Sequence, residues 1–128
     1  MIRDKTDKGY HKLIVWRKAK EFVKLIYQIT ADFPRAEEYG LKGQIRRAAV
    51  SILLNIVEGY RRRSTKEFLR FLTNFSEASL TEVEACLELS LELEFLIQKD
   101  YDLAENKRAE LAFLLDSLVR SLRAKLAK

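Results

Sequence analysis

Apolar residues recur along this chain at helical intervals. Val15, Ala19, Phe22, Ile26, Ile29 and Phe33 are separated by steps of three and four, which sets them on one stripe and predicts a helix over about residues 12–33. Pro34 disfavours helical backbone at Phe33 and closes that segment. A second helix is predicted over about residues 41–60, with Gly40 a weak N-cap. The third opens at Ser64-Thr65-Lys66-Glu67, a capping box in which Ser64 and Glu67 take up each other's free backbone amides. Its pattern covers about residues 65–98, with no proline or glycine to stop it. The fourth is expected over about residues 103–126, after the N-cap and N3 acid pair Asp102 and Glu105. Leu111, Leu115, Leu118 and Leu122 share one of its faces, and Arg123, Lys125 and Lys128 suit the negative end of its dipole. Short links make sequential helices antiparallel neighbours, so the expected fold is all-α, an up-down-up-down four-helix bundle. Residues 1–11 read as a flexible tail on this single domain of residues 1–128.

The second helix carries more apolar surface than one core absorbs. From Ala48 to Val57 only Ser51 and Asn55 interrupt the apolar run. Ile45, Ala49, Ile52 and Ile56 form one stripe, whereas Val50, Leu53, Leu54 and Val57 lie on a different side of the helix. The first stripe suits the bundle core. The second calls for a cover, either a second subunit or a long neighbouring helix of the same chain, and the first is the simpler expectation because large exposed apolar patches mark association sites. Gln44, Arg47, Ser51, Asn55, Glu58 and Arg62 fall within an arc of about 80° on this helix, a polar seam whose members can hydrogen-bond in succession. It reads either as a solvated strip or as a buried or interfacial network, since such groups flanked by apolar stripes fix register when subunits pack.

Composition narrows the class. With 128 residues, 48% of them hydrophobic, one proline and four glycines, the chain has too few breakers for an all-β fold and too much apolar content for disorder. One Cys and one His supply neither an internal disulfide nor a four-ligand zinc site. Met1 leads into a polar stretch rather than a signal peptide, and the most apolar window is far short of a membrane span, so a cytoplasmic protein with no membrane partner is expected. Charge is uneven: residues 1–75 carry 17 Lys and Arg against 8 Asp and Glu, and residues 76–128 carry 7 against 11. A basic half attracts phosphate backbones, and the same asymmetry also steers an acidic protein face onto a basic one.

The cations gather in three places. Arg17, Lys20 and Lys24 share a face of the first helix, Arg46 and Arg47 lie on the second, and Arg61, Arg62, Arg63, Lys66 and Arg70 crowd the turn into the third. These are the candidate nucleic-acid contacts, since phosphate neutralisation uses Lys and Arg. A solvated cationic face is the plain alternative. Glu77, Glu82, Glu84, Glu88, Glu92 and Glu94 form an acidic run, but Glu84, Glu88 and Glu92 stand on one helix without the Glu-x-x-His pairs of di-iron bundles. His11 lies near a helix start, and Cys86 sits among leucines as a small core residue. No nucleophile-base pair, glycine-rich phosphate loop, metal motif or cofactor motif is present, so no enzyme is expected.

Leu13-Ile14-Val15-Trp16-Arg17-Lys18-Ala19, Phe33-Pro34, Tyr39-Gly40-Leu41 and Gln44-Ile45-Arg46-Arg47-Ala48-Ala49-Val50-Ser51 resemble the bacterial four-helix-bundle proteins encoded in intervening sequences of large-subunit ribosomal RNA genes. Asn55-Ile56-Val57-Glu58-Gly59-Tyr60, Lys66-Glu67-Phe68 and Ser79-Leu80-Thr81-Glu82 continue the likeness. The resemblance implies a homopentameric ring, with Arg46, Arg47, Asn55, Glu58 and Gly59 as signature positions. It also implies kinship with the accessory variability determinant of diversity-generating retroelements, which binds nucleic acid and a reverse transcriptase. Two positions depart from the pattern: Leu53 stands where many members have proline, which removes a kink, and Ala78 where many have glycine, which puts a methyl into an expected close packing. Together these readings give a non-enzymatic homo-oligomer binding RNA or DNA through basic surfaces, with a scaffold that docks an acidic protein, such as a reverse transcriptase, as the alternative.

Overall fold

In the computed structural model, which describes residues 8–128, the backbone forms α1 (Ile14–Ile29), α2 (Leu41–Tyr60), α3 (Thr65–Phe71), α4 (Glu77–Glu92) and α5 (Gln98–Leu126). A π-turn, Leu72–Ser76, joins α3 to α4 in one continuous rod, so the chain is four helical rods with no strand among the described residues. α1 packs on α2 and α5, and α4 packs on the same two, closing the rods around one core. Every rod contributes to it: Phe22 and Ile26, then Ile45, Ile52 and Ile56, then Leu72 and Leu87, then Leu111 and Leu115, all fully buried. Each such side chain stabilises the fold by about 1.5–3 kcal/mol.

The first helix is shorter than its apolar stripe suggests. Leu13 has extended backbone, and the helix ends at Thr30, whose hydroxyl donates to the Ile26 carbonyl at 2.7 Å. Phe33 is nonetheless buried, reached through the turn. Of the tail expected over residues 1–11, most lies outside the described residues. Its last part, Gly9–Lys12, is a 3-10 turn that brings Tyr10 against Trp16 and Tyr60.

Gly40 offers no side chain to cap α2, and the Glu37 carboxylate does so instead, accepting the Leu41 N–H at 2.9 Å. At the other end α3 crosses close over Gly59: a Cβ there would lie 2.8 Å from Phe71 Cβ and 2.9 Å from Phe68 Cδ1, so only glycine admits this approach. Ser64 caps α3 by accepting the Glu67 N–H at 3.1 Å. Only that half of the capping box forms, because the Glu67 carboxylate turns to Arg70 Nε at 2.7 Å.

The third helix departs most from expectation. The π-turn places both Leu72 and Ser76 on the core side, and buried Ser76 donates to the Ile52 carbonyl of α2 at 3.2 Å. The rod then stops at Glu92, not at Gln98. Glu94 adopts φ 63°, its N–H bonds the Leu91 carbonyl at 3.0 Å, and the Phe95 N–H reaches Ser90 at 2.9 Å, the two hydrogen bonds of a Schellman stop. This turns Phe95 onto Phe33, ring centroids 5.6 Å apart, and buries Leu96. α5 therefore begins at Gln98. Asp102 is not its cap but lies inside the helix, accepting from Gln98 Nε2 at 2.9 Å, while Glu105 holds Arg108. Ala78 is exposed, so its methyl meets no close packing within the chain, and α2 runs through Leu53 without interruption.

Candidate functional site

α2 presents its outer side to a groove of about 1130 Å³ that it shares with α1 and the turn before it. Core burial of Ile45, Ala49, Ile52 and Ile56 fixes the rotation of the helix, which leaves the second apolar side outward. Val50, Leu53 and Val57 are half-buried in the groove wall, and Leu54 is 59% exposed. The neighbouring helices of the same chain thus cover this side only in part. Tyr10, Trp16 and Tyr27 form the opposite wall, and Tyr39, 93% exposed, stands at the rim. Periodicity did not single out these four aromatics as a wall. Their residue type was the available signal, since large amphipathic rings gather at contact surfaces.

The polar seam is used inside the subunit. Arg47 donates to Gln44 Oε1 at 2.9 Å, Asn55 Nδ2 to the Ser51 hydroxyl and carbonyl at 3.0 and 2.8 Å, and Arg62 to Glu58 at 3.0 Å. Ser79 of α4 donates to Ser51 Oγ at 3.0 Å. Its centre therefore ties α2 to α4 rather than forming a solvated strip, while Arg47 and Glu58 remain exposed at its ends.

The ten candidate phosphate contacts divide into two patches. On α1 and α2, Arg17, Lys24 and Arg47 are exposed, of which Arg47 lines the groove, and Lys20 Nζ sits 5.3 Å from the Trp16 ring centroid. Arg46 is the exception. Its Nε donates to Thr30 Oγ1 at 2.9 Å and a terminal nitrogen to the Tyr27 carbonyl at 3.1 Å, and its guanidinium lies 4.3 Å from the Tyr27 ring centroid. It takes up the Tyr27 carbonyl near the C-terminal end of α1, so its guanidinium is engaged within the subunit.

The second patch surrounds the α2–α3 turn. Arg62 and Arg70 flank the Phe71 ring at 4.7 and 5.1 Å, Arg61 lies 5.5 Å from Tyr10, and Arg63 and Lys66 are exposed. The hydrogen bond to Arg70 holds the Glu67 carboxyl below its ordinary value. Lys66 and Arg70 also line a depression of about 450 Å³ with Thr73, Asn74 and Arg123. Sequence alone assigned Arg123 to the dipole of the last helix. Only the packing of α5 beside the π-turn brings it to this patch.

Titratable groups elsewhere serve the fold. Burial raises Glu77, with nearby Asp116 adding to the effect, and burial also pushes the Cys86 thiol up. Arg108 bridges Glu105 and Glu84 at 2.6 and 3.0 Å. Among the described residues no group of three His, Cys, Asp or Glu side chains could hold a metal ion, and no helix of the described residues is long and apolar enough to cross a membrane. What the surface offers is an apolar groove, aromatic faces on which flat groups stack, and guanidinium and ammonium groups beside them.

The family model for the 23S rRNA-intervening sequence protein matches residues 11–117. A 1.70 Å crystal structure of a protein with unknown function from the S23 ribosomal protein family of Bacteroides thetaiotaomicron is 28% identical, with a TM-score of 0.73. The alignment covers 83% of this chain and 98% of that one. Among curated proteins none matches.

Proposed function

The chain belongs to the 23S rRNA-intervening sequence protein family, and from that premise we propose that it acts without catalysis, as a cytoplasmic homo-oligomer that binds RNA or DNA. The subunit is read as an up-down-up-down four-helix bundle and the assembly as a pentamer. The observation that carries this reading is the outward apolar side of α2, where Leu54 stands 59% exposed in a groove that no helix of the same chain fills. Copies packed through that side multiply the basic patch at the α2–α3 turn, and repeated patches add phosphate contacts along one strand. The family's link to ribosomal RNA intervening sequences makes RNA the first ligand to try.

Light-scattering mass with and without a short RNA, at two salt concentrations, tests both parts. The expected result is a mass several times 15.0 kDa that grows with RNA. For about six phosphate contacts to a single strand, affinity should fall roughly 300-fold between about 50 and 200 mM salt. A lone 15.0 kDa particle at high protein concentration removes the assembly, and affinity unchanged by salt removes phosphate binding. The second reading, docking of an acidic protein such as a reverse transcriptase, draws on the same excess of cations in residues 1–75. It predicts a protein partner retained after nuclease treatment.

A further inference from the structure

The π-turn Leu72–Ser76 interrupts the regular coil of the third rod, and single π-turns inside α-helices often mark functional sites. It buries Leu72 and Ser76 in the core and leaves Thr73 and Asn74 at the surface, where both line the depression of about 450 Å³. Lys66 and Arg70, four apart on α3, line it as well, and Arg123 reaches it from α5.

These side chains have bonding capacity to spare. Lys66 and Arg123 make no ion pair among the described residues. Arg70 gives its Nε to Glu67 at 2.7 Å, so both terminal nitrogens remain as donors. Asn74 Oδ1 faces the Thr73 hydroxyl at 3.4 Å, and its Nδ2 donates to no group among the described residues. Lys66, Arg70 and Arg123 are set against Glu67 alone, so the lining has an excess of two positive charges. Glu77 lies close enough to feel the Arg123 charge but does not line the depression.

An excess of two charges matches a phosphate monoester, which carries nearly two negative charges at pH 7, better than the single charge of each phosphodiester within a strand. A volume of about 450 Å³ is that of a small-molecule site and admits one nucleotide rather than a length of chain. We propose that this depression seats the terminal phosphate of the bound RNA strand, with Lys66, Arg70 and Arg123 neutralising its charge and the Asn74 amide donating to one of its oxygens. The inference rests on the RNA-binding reading and specifies which part of the strand this site takes. Guanidinium forks suit such a group because two parallel N–H donors meet two phosphate oxygens. Arg70 and Arg62 both lie on the Phe71 ring, so the depression runs into the cations of the α2–α3 turn, where Arg61 and Arg63 meet the phosphodiesters that follow.

One short RNA, prepared with a phosphate at its 5′ end, at its 3′ end or at neither, tests the site by titration. A phosphate-ended form should bind about 10-fold or more tightly than the hydroxyl-ended form, the scale of added charge-assisted hydrogen bonds. In Arg123→Gln that ratio should fall by about 3-fold or more. In Arg63→Gln both affinities should drop together and the ratio should survive, since that residue meets phosphodiesters common to all three RNAs. Both side chains are exposed, so both variants should keep wild-type helical circular dichroism. Equal affinity of the wild-type chain for the three RNAs, a ratio unchanged in Arg123→Gln, or a ratio lost in Arg63→Gln overturns the terminal-phosphate site while leaving RNA binding intact. A nucleoside monophosphate that binds as tightly as the phosphate-ended RNA overturns the strand end as ligand in favour of a free nucleotide. A chain that binds none of the RNAs overturns both readings.

Discussion

The guanidinium of Arg46 holds Thr30 Oγ1 and the Tyr27 carbonyl and lies over the Tyr27 ring. It thus satisfies a carbonyl that the end of α1 leaves without a helical partner, along with the Thr30 hydroxyl, and a planar fork with several donors suits this task better than an ammonium. Arg46→Ala should lower stability by about 1–3 kcal/mol, the usual scale for losing hydrogen bonds to a charged group, and Arg46→Lys should recover only part of it. Urea unfolding followed by circular dichroism measures both. Full recovery by lysine would mean that the charge, not the fork, does the holding. Nothing local to Arg46 distinguishes it from Arg47, one position along. A turn of about 100° sends the first toward α1 and leaves the second at the groove.

At the scale of elements, the end of α4 is where a single residue resists its conformation. Glu94 occupies left-handed backbone at φ 63°, a position that glycine fills without steric cost. Glu94→Gly should therefore stabilise the fold by about 0.5–1 kcal/mol, the relief of the Cβ clash less the extra freedom glycine gains in the unfolded chain. Denaturant midpoints of the two proteins give the comparison, and a destabilised variant would show that the turn relies on the Glu94 side chain. The stop was hidden in the sequence because no glycine or proline marks it. It follows from the burial of Leu96 and the stacking of Phe95 on Phe33, a contact across the molecule. By contrast Ser64 announced the start of α3, since capping is a matter of three neighbouring residues.

Across the whole molecule, exposed ion pairs link the rods and set the response to acid. Lys18 of α1 meets Glu110 of α5 at 3.1 Å, and the hydrogen bond from Lys18, then its charge, hold Glu110 below its ordinary value of 4.5. Arg70 does the same to Glu67. A carboxylate held low in the folded state stabilises it above the unfolded value, near 4.5, and that contribution is lost as pH falls through the folded value. Glu77 runs the other way: burial raises it, so its contribution is present in acid and lost as pH rises through its folded value. With two depressed carboxylates against one raised, the melting temperature should be lower at about pH 3 than at about pH 7. Glu110→Gln should narrow the gap slightly, since exposed pairs contribute little. Thermal melts of both proteins at the two pH values check this. An unchanged gap would mean that the α1–α5 bridge is not formed in solution.

Periodicity by itself determined the all-α class, the stripes of the first, second and fourth helices that face the core, and the surplus apolar side of α2, because each depends only on residues three or four apart on one rod. The three basic clusters were legible for the same reason, being runs in the chain. Tertiary structure alone decided that Arg46 is a cap, that Ser51 and Ser79 tie α2 to α4, that Arg123 joins the cations of the α2–α3 turn, and where the long third rod ends. Those outcomes turn on which side chains meet between helices, across separations such as 16 and 28 positions. A helical period specifies the direction in which a residue points, and the packing of the rods specifies what it finds there.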